Sequence, residues 1–274
     1  MNIIVCIKQV PETTEVKINP ETNTLIREGI KSIINPFDMY AIEEAVRLKE
    51  RFGAKTTAIS MGPPQAEMAL REAIALGIDE GILISDRAFA GSDTWATSYT
   101  LASAIRKIGV FDLIICGKQA SDGDTAQVGP GIAGHLDIPQ VTYVKRIEAI
   151  EPSPSEVKDK DAGRGWMRVE RMMEEGFEVI ETSLPALITV VKEINEPRLP
   201  SLKGMLRAKN TKITCWTQKD LDLDPQDIGL AGSPTQVVKI FNPPSRSGGQ
   251  ILTGEVDEVA KKLVDLLRQE IISN

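Results

Sequence analysis

The joint at Gly117–Gly134, GKQASDGDTAQVGPGIAG, limits what this chain can fold into more than any other stretch. It follows the run Asp112-Leu113-Ile114-Ile115-Cys116, which predicts a buried strand, and it leads into Ala126, Val128, Ile132 and Leu136, whose spacing predicts one face of a helix. A strand-to-helix joint rich in Gly, small polar residues and carboxylates is where open α/β sheets bind ligands. Free N–H groups at the helix start point outward there and favour an anion. Two readings fit these residues equally. In one, backbone N–H groups around Ala126–Gly131 hold phosphate at the edge of a pocket. In the other, Asp124 caps the helix and the rest is an ordinary polar loop.

The same alternation of strand and helix runs through the first half of the chain. Ile3–Ile7 predicts the first strand. Asn35-Pro36-Phe37-Asp38 predicts a helix start: Asn35 can cap, Pro36 fits the first helical position, and Asp38 complements the positive end. Ile42, Ala45, Val46 and Phe52 give that helix an apolar stripe, ended by Gly53. Thr57–Met61 predicts a strand, and Gly62-Pro63-Pro64 leads into a helix to Leu76, closed by Gly77. Gly81–Ser85 then predicts a strand, Asp93–Ile108 a helix and Asp112–Cys116 a strand. Units of this length imply right-handed crossovers and a mostly parallel sheet with helices on both faces. After Pro139 the pattern changes. Val141–Ile150, Trp166–Met173 and Phe177–Thr182 alternate as strands around an exposed polar stretch, 151–165, and Ala186–Val191 is apolar enough to rejoin the sheet centre.

Composition excludes several classes. The 274 residues are 42% hydrophobic and 26% charged, as in an ordinary globular protein. A net charge of −7 argues against general nucleic-acid binding, which needs a dominant basic face. No apolar run approaches the roughly 20 residues of a membrane span. Met1–Lys8 reads as a strand and not as a cleavable leader, so the expected compartment is the cytoplasm. Cys6, Cys116 and Cys215 stand alone within predicted strands and are expected to be small buried hydrophobes. His135 is the only histidine, which leaves no supply for a zinc cluster or a histidine-based triad; a surface or helix-packing role is expected for it.

Four segments are expected to meet at the carboxyl edge of the sheet: Cys6–Val10, Asn35–Asp38, Met61–Pro64 and Lys118–Pro130. Such convergence suits a nucleotide, whose adenine, ribose and phosphates each need separate partners. Ser121, Asp122, Asp124, Thr125 and Gln127 offer side-chain donors and acceptors. Carboxylates repel phosphate, so ribose hydroxyls are their expected partners. Neither GxGxxG after the first strand nor GxxxxGK[ST] occurs, and no acid/base pair is evident. A nucleotide site without such machinery points to a redox carrier or a structural nucleotide holder, since a flavin brings its own chemistry. A second candidate is the loop 193–209, where leucines sit among basic residues. They form either a protein-docking anchor or a cover for the domain's own core. Glu255–Ile272 predicts an amphipathic helix in a C-terminal arm that packs on another subunit.

Taken together, the chain resembles the β subunit of electron-transfer flavoproteins along nearly its whole length. The matching stretches are Val5–Pro11 (VCIKQVP), Asn35–Asp38 (NPFD), Glu43–Lys49 (EEAVRLK), Met61–Pro63 (MGP), Gly117–Ala120 (GKQA) and Asn195–Arg198 (NEPR). The resemblance implies a Rossmann-like, adenine-nucleotide-hydrolase-like fold and a heterodimer with an α subunit carrying a second FAD. It also implies an adenine-nucleotide site lined by Cys6, Asn35, Pro36, Phe37, Asp38, Met61 and the segment Ala120–Gly131, which includes Asp122, Gly123, Asp124, Thr125, Ala126, Gln127, Val128, Gly129 and Pro130. Asn195, Glu196, Pro197, Arg198 and Leu202 match the family's docking loop for an acyl-CoA dehydrogenase-type flavoenzyme, with Leu202 as the anchor. The β site holds AMP in the family's simple carriers. In its bifurcating branch it holds an FAD that accepts hydride from NADH and sends electrons onward, one toward a low-potential acceptor such as ferredoxin or flavodoxin. Asp122–Pro130 and Ala231–Val237 are similar to the bifurcating branch, where small Gly123, Thr125 and Ala126 would leave room for a pyrophosphate. The expected organisation is a nucleotide-binding domain at 1–192, the loop and a strand at 193–229, and the arm at 230–274. A free-standing adenine-nucleotide sensor on a similar fold is the competing reading.

Overall fold

The computed structural model describes residues 1–12, 17–18, 25–26, 32–152, 165–238 and 249–273, in two units, Met1–Val238 and Lys239–Asn274. The first unit opens with β1 (Asn2–Cys6) and the short strands β2 (Gln9–Pro11), β3 (Lys17–Ile18), β4 (Leu25–Ile26) and β5 (Ser32–Ile34). Then come α1 (Pro36–Phe52), β6 (Lys55–Met61), α2 (Glu67–Leu76), β7 (Glu80–Ile84), α3 (Thr94–Ile108), β8 (Leu113–Gly117) and α4 (Val128–Leu136). The strands β9 (Gln140–Glu151), β10 (Trp166–Met173), β11 (Gly176–Ser183) and β12 (Ala186–Val190) follow, and α5 (Leu202–Asn210), β13 (Thr214–Trp216) and α6 (Gln218–Leu221) complete the unit. Among the described residues, the second unit contains one helix, α7 (Val256–Ser273).

One nine-stranded sheet runs in the order β11-β10-β9-β12-β8-β1-β6-β7-β13. Every pairing from β13 across to β9 is parallel; the β9–β10–β11 meander is antiparallel. The predicted mostly parallel α/β fold is therefore the observed one. Successive strand residues point to opposite faces. Ile3, Val5, Leu113, Ile115 and Ile188 pack under α1 and α2, while Ile4, Cys6, Ile114, Cys116 and Leu187 pack under α3 and α4. Both faces of β1 and β8 are sealed, which is why these strands carry no polar alternation. Full burial of one such isoleucine contributes about 1.5–3 kcal/mol, and truncating Ile114 to alanine would cost about 2–5 kcal/mol.

The helix ends follow local chemistry. Pro36 opens α1, and Gly53, left-handed at φ 64°, closes it by donating its N–H to the Lys49 carbonyl at 2.8 Å. Asp93 caps α3 by accepting from the N–H groups of Trp95 and Ala96 at 2.9 and 3.1 Å. Asn35 does not use its side chain to cap α1; that amide serves the neighbouring loop instead.

Several expectations need correcting. The helix read from Pro64 to Leu76 is two pieces, a 3₁₀ turn at Pro64–Ala66 and then α2. Ala126 is not on the helix face predicted for it: it is left-handed at φ 55°, and α4 begins at Val128. The stretch read as a loop at 193–209 contains a 3₁₀ turn and most of α5. The buried side of α5 is made of Gly204 and Ala208, too small to leave a hydrophobic period in the sequence. Cys6 and Cys116 are buried, but Cys215 is exposed, because β13 is an edge strand. Most of the polar stretch, 153–164, lies outside the described residues. No helix among the described residues is long and apolar enough to cross a membrane.

Candidate functional site at the carboxyl edge of the sheet

Three of the four predicted segments are tied into one hydrogen-bonded unit at the carboxyl ends of β1 and β8. Asn35 is buried and bridges them: its backbone N–H donates to the Lys8 carbonyl at 2.8 Å. Its side-chain amide donates to the Gln119 carbonyl at 2.8 Å and to Asp38 at 2.9 Å, while its oxygen accepts from the Ser121 N–H at 3.0 Å. Asp38 lies beneath, accepting from the Lys8 N–H at 2.7 Å and from the Gly117 N–H. Burial pushes its carboxyl up to about 7, against the pull of these donors. Just past the fourth segment, the Gln65 carbonyl accepts from the Gln9 side chain at 3.2 Å.

Gly117 is required for this packing. A Cβ there would overlap the Asp38 carboxylate and lie 2.7 and 2.8 Å from the backbone of Phe37 and Asp38. Gly129 and Gly131 have the same kind of role further on, seating α4 against Thr189 and Ser98.

The loop above this platform has an unusual backbone. Asp124 and Ala126 are left-handed at φ 53° and 55°, although neither is glycine. Such residues cost about 1–3 kcal/mol each and persist only where their surroundings impose them. Gln127, next in line, is right-handed at φ −101°. A left-handed residue followed by a right-handed one turns consecutive N–H groups into one concavity, an anion-binding nest. Among the described residues no acceptor takes the N–H groups of Ala126, Gln127, Val128 or Gly129. Pro130 has no N–H, and that of Gly131 goes to the Gln127 carbonyl at 2.9 Å. The N–H groups left without an acceptor are thus those of Ala126–Gly129, a shorter stretch than the expected Ala126–Gly131.

The carboxylates that would repel phosphate have partners within the protein. Lys8 donates to both oxygens of Asp122 at 2.7 and 2.8 Å, and Gln119 donates to Asp124. Ser121, Gly123 and Thr125 remain exposed on the loop surface. Cys6 is buried against Cys116, its register partner across β1 and β8, and Met61 is half-buried in the same core. A hydrogen bond with Cys6, together with burial, pushes the Cys116 thiol well above its ordinary range, so it is unreactive. These residues form an apolar floor. Pro36 is exposed and Phe37 half-buried at the start of α1.

Asp93, Thr94 and Tyr143 at this edge were not among the expected site residues. The Thr94 hydroxyl donates to Gln127 at 3.0 Å, bringing the start of α3 to the loop. Asp93 accepts from the N–H and hydroxyl of Thr235 at 2.9 and 2.8 Å, and its own N–H donates to Ser233 at 2.8 Å. Ser233 and Thr235 are therefore fastened to the start of α3, the helix that Thr94 ties to the loop. The Asp93 contacts join residues 140 and 142 positions apart, which no local pattern announces. Lys118 sits over the rings of Tyr143 and Phe37 at 5.3 and 5.8 Å, and Tyr143 is left-handed at φ 60° beside a register shift between β12 and β9. His135 packs edge-on against Trp95 and Tyr99, within the expected helix-packing role.

The docking candidate divides into a base and a tip. The Asn195 amide donates to the Tyr40 carbonyl and to Glu44, both at 3.0 Å. Arg198 is clamped by Glu43 at 2.8 Å and by Glu50 at 2.5 Å. Both residues are thereby committed to α1, while Pro197 is half-buried and Glu196 exposed. Leu199 and Leu202, by contrast, are 88% and 78% exposed. They do not cover the domain's own core.

A family model described as an electron transfer flavoprotein domain matches residues 22–221. The chain is 53% identical over 268 residues to electron transfer flavoprotein subunit beta of Thermoanaerobacterium thermosaccharolyticum, covering 97% of this chain and 98% of that protein. It is 50% identical over 274 residues to caffeyl-CoA reductase-Etf complex subunit CarD of Acetobacterium woodii, covering 99% and 100%. Protein FixA of Azotobacter vinelandii is 46% identical over 269 residues, covering 97% and 92%.

Proposed function

The chain belongs to the electron transfer flavoprotein family as a β-type subunit, and from that premise we propose that its carboxyl-edge pocket holds an FAD in an electron-bifurcating complex. The observation that carries this reading is the nest at Ala126–Gly129, set among the small residues Gly123, Thr125 and Ala126. Unclaimed N–H groups at a helix start suit phosphate, and small neighbours leave space for a second one. The carboxylates of Asp122 and Asp124, already partnered by Lys8 and Gln119, keep acceptor capacity for ribose hydroxyls. Likeness to CarD, a subunit of a caffeyl-CoA reductase-Etf complex, supports a β subunit working beside a CoA-linked reductase.

Bound at this edge, the flavin supplies hydride and single-electron chemistry of its own. The protein's residues hold and shield it. Asn35 and Asp38 fix the loop, the nest binds phosphate, and Cys6, Cys116 and Met61 form a dry floor. The electron donor in this reading is NADH. The partners are an α subunit with the second FAD, an acyl-CoA dehydrogenase-type flavoenzyme met through Leu202, and ferredoxin or flavodoxin as low-potential acceptor. Leu202→Ala is expected to weaken electron delivery to the dehydrogenase while leaving dye reduction by NADH unchanged; equal loss of both would remove Leu202 from docking.

Co-expression with the α subunit and extraction of the cofactors tests the site. Two FAD per heterodimer are expected. One FAD with one AMP would overturn bifurcation and leave a simple carrier. A stable monomer that binds AMP or ATP and forms no complex would favour the sensor reading.

A further inference from the structure

The docking segment is held from outside by the adjacent helix α2. A helix of nine residues such as α5 does not persist unaided in water. Its seat is very close: a Cβ at Gly204 would overlap the Ala75 carbonyl oxygen of α2, and Ala208, one turn on, is buried. The two helices also cap one another. Arg207 of α5 donates to the carbonyls of Ile74 and Ile78 at 2.7 and 2.6 Å, at the end of α2. Arg71 of α2 donates to the carbonyls of Ala208 and Thr211 at 2.6 and 3.2 Å, at the end of α5. Terminal carbonyls otherwise lack partners within their own helix, so each guanidinium satisfies the other helix. Glu67 orients Arg71 from one turn away at 2.8 Å. At the front, Ser201 accepts from the Gly204 N–H at 3.0 Å, and Arg198 is fixed to α1.

We propose that Arg71, which lies outside the docking segment, is a positioning residue for partner docking: it locks α5 so that Leu199, Leu202 and Leu206 stand as a preformed apolar ridge. The proposal rests on the reading of Leu202 as a docking anchor. A ridge ordered before encounter loses less conformational freedom on binding than a mobile loop does. One terminal nitrogen of Arg71, Nη1, reaches the Ala208 and Thr211 carbonyls, while Nε and Nη2 meet Glu67 and hold it there. Lysine at this position keeps the charge but cannot serve the carbonyls and Glu67 together in this geometry, and glutamine, being shorter, reaches neither carbonyl.

The test uses the assembled α–β complex with a purified acyl-CoA dehydrogenase as partner protein. Arg71→Gln is expected to raise KM for the dehydrogenase roughly tenfold. kcat, nucleotide content and dye reduction by NADH stay unchanged, and amide exchange across 202–210 accelerates. Arg71→Lys is expected to recover part of the loss. Faster exchange with an unchanged KM overturns the proposal, because ordering of α5 would then not matter to docking. A rise in KM accompanied by an equal loss of dye reduction also overturns it, assigning Arg71 to general stability. Leu202→Ala separates the two levels. If it raises KM and Arg71→Gln does not, only the positioning role fails. If Leu202→Ala has no effect, the docking reading fails and the proposal with it.

Discussion

Replacing Gly117 by alanine adds one methyl group where the structure leaves no space. The new Cβ meets the Asp38 carboxylate and the backbone of Phe37 and Asp38, the latter at 2.7 and 2.8 Å. The carboxylate cannot swing aside, because Lys8 and Asn35 hold it at 2.7 and 2.9 Å. The backbone cannot move either, since Phe37 and Asp38 form the first turn of a helix buried along one side. Overpacking and the loss of one or two bonds to a buried carboxylate together predict a destabilisation of about 3–6 kcal/mol. That is a large share of the roughly 5–15 kcal/mol that holds a domain folded.

Neighbouring glycines supply internal controls. Gly123 and Gly134 have nothing within 4 Å of a built Cβ. Gly123→Ala should change stability by less than about 0.5 kcal/mol. Gly134→Ala, inside α4, should stabilise by about 0.5–1 kcal/mol through helix propensity. Gly129→Ala and Gly131→Ala should fall between, because Thr189 and Ser98 are single side chains with some freedom to adjust. Urea denaturation followed by tryptophan fluorescence measures the whole series. Gly117→Ala within 1 kcal/mol of Gly123→Ala would refute the claim that this joint is locked by close approach.

Three further perturbations test the platform and its loop. Burial holds the Asp38 carboxyl at about 7 in the folded chain, against an ordinary value of 3.8. The folded state therefore keeps a proton that the unfolded state loses, and this contribution, on the order of 4 kcal/mol, is present at low pH and lost as pH rises through 7. Asp38→Asn should flatten that part of the stability profile; an unchanged slope between pH 4.5 and 7.5 would assign the titration elsewhere. Asp93→Ala should destabilise by about 1–2 kcal/mol by uncapping α3, and should release Thr235, visible as faster amide exchange at that residue. The N–H of Ala96 and the bonds from Thr235 hold the Asp93 carboxyl below its ordinary value despite some burial, so the wild-type advantage should disappear on acidification below about pH 4. Asp124→Ala should lower retention of the β-site nucleotide several-fold without changing α-site flavin, and unaltered nucleotide content would remove Asp124 from the site.

What the sequence revealed was what depends on near neighbours. Unbroken apolar runs such as Leu113–Cys116 marked central strands, Gly53 marked a helix end, and Gly117–Gly134 marked the edge where segments converge. The rest depended on contacts without a sequence period. α5 was missed because small residues, Gly204 and Ala208, form its buried face, so its leucines look scattered when in fact they all face outward. Asn35 reads as a helix cap by type, yet its amide bridges Gln119 and Ser121, more than 80 residues away. Cys215 has the composition of a core residue and the position of an edge one.

These differences share a cause with consequences for the site. Glycines at 117, 129, 131 and 204 all look like loop flexibility in the sequence, whereas each packs against a neighbouring element, at 117 and 204 against backbone too close for a side chain. The flexible-looking joint is therefore the stiff part of the molecule. The strained residues of its loop, Asp124 and Ala126, are not glycines at all. A loop that needed only to turn could have placed glycine there and avoided the left-handed strain. Retaining Cβ atoms at those two positions narrows the backbone to one shape, in which the N–H groups of Ala126–Gly129 stay converged before any anion arrives. If that is their purpose, Ala126→Gly should relieve strain and raise stability by up to about 1 kcal/mol while weakening nucleotide retention. Stability and retention rising together would show that the strain does not serve binding.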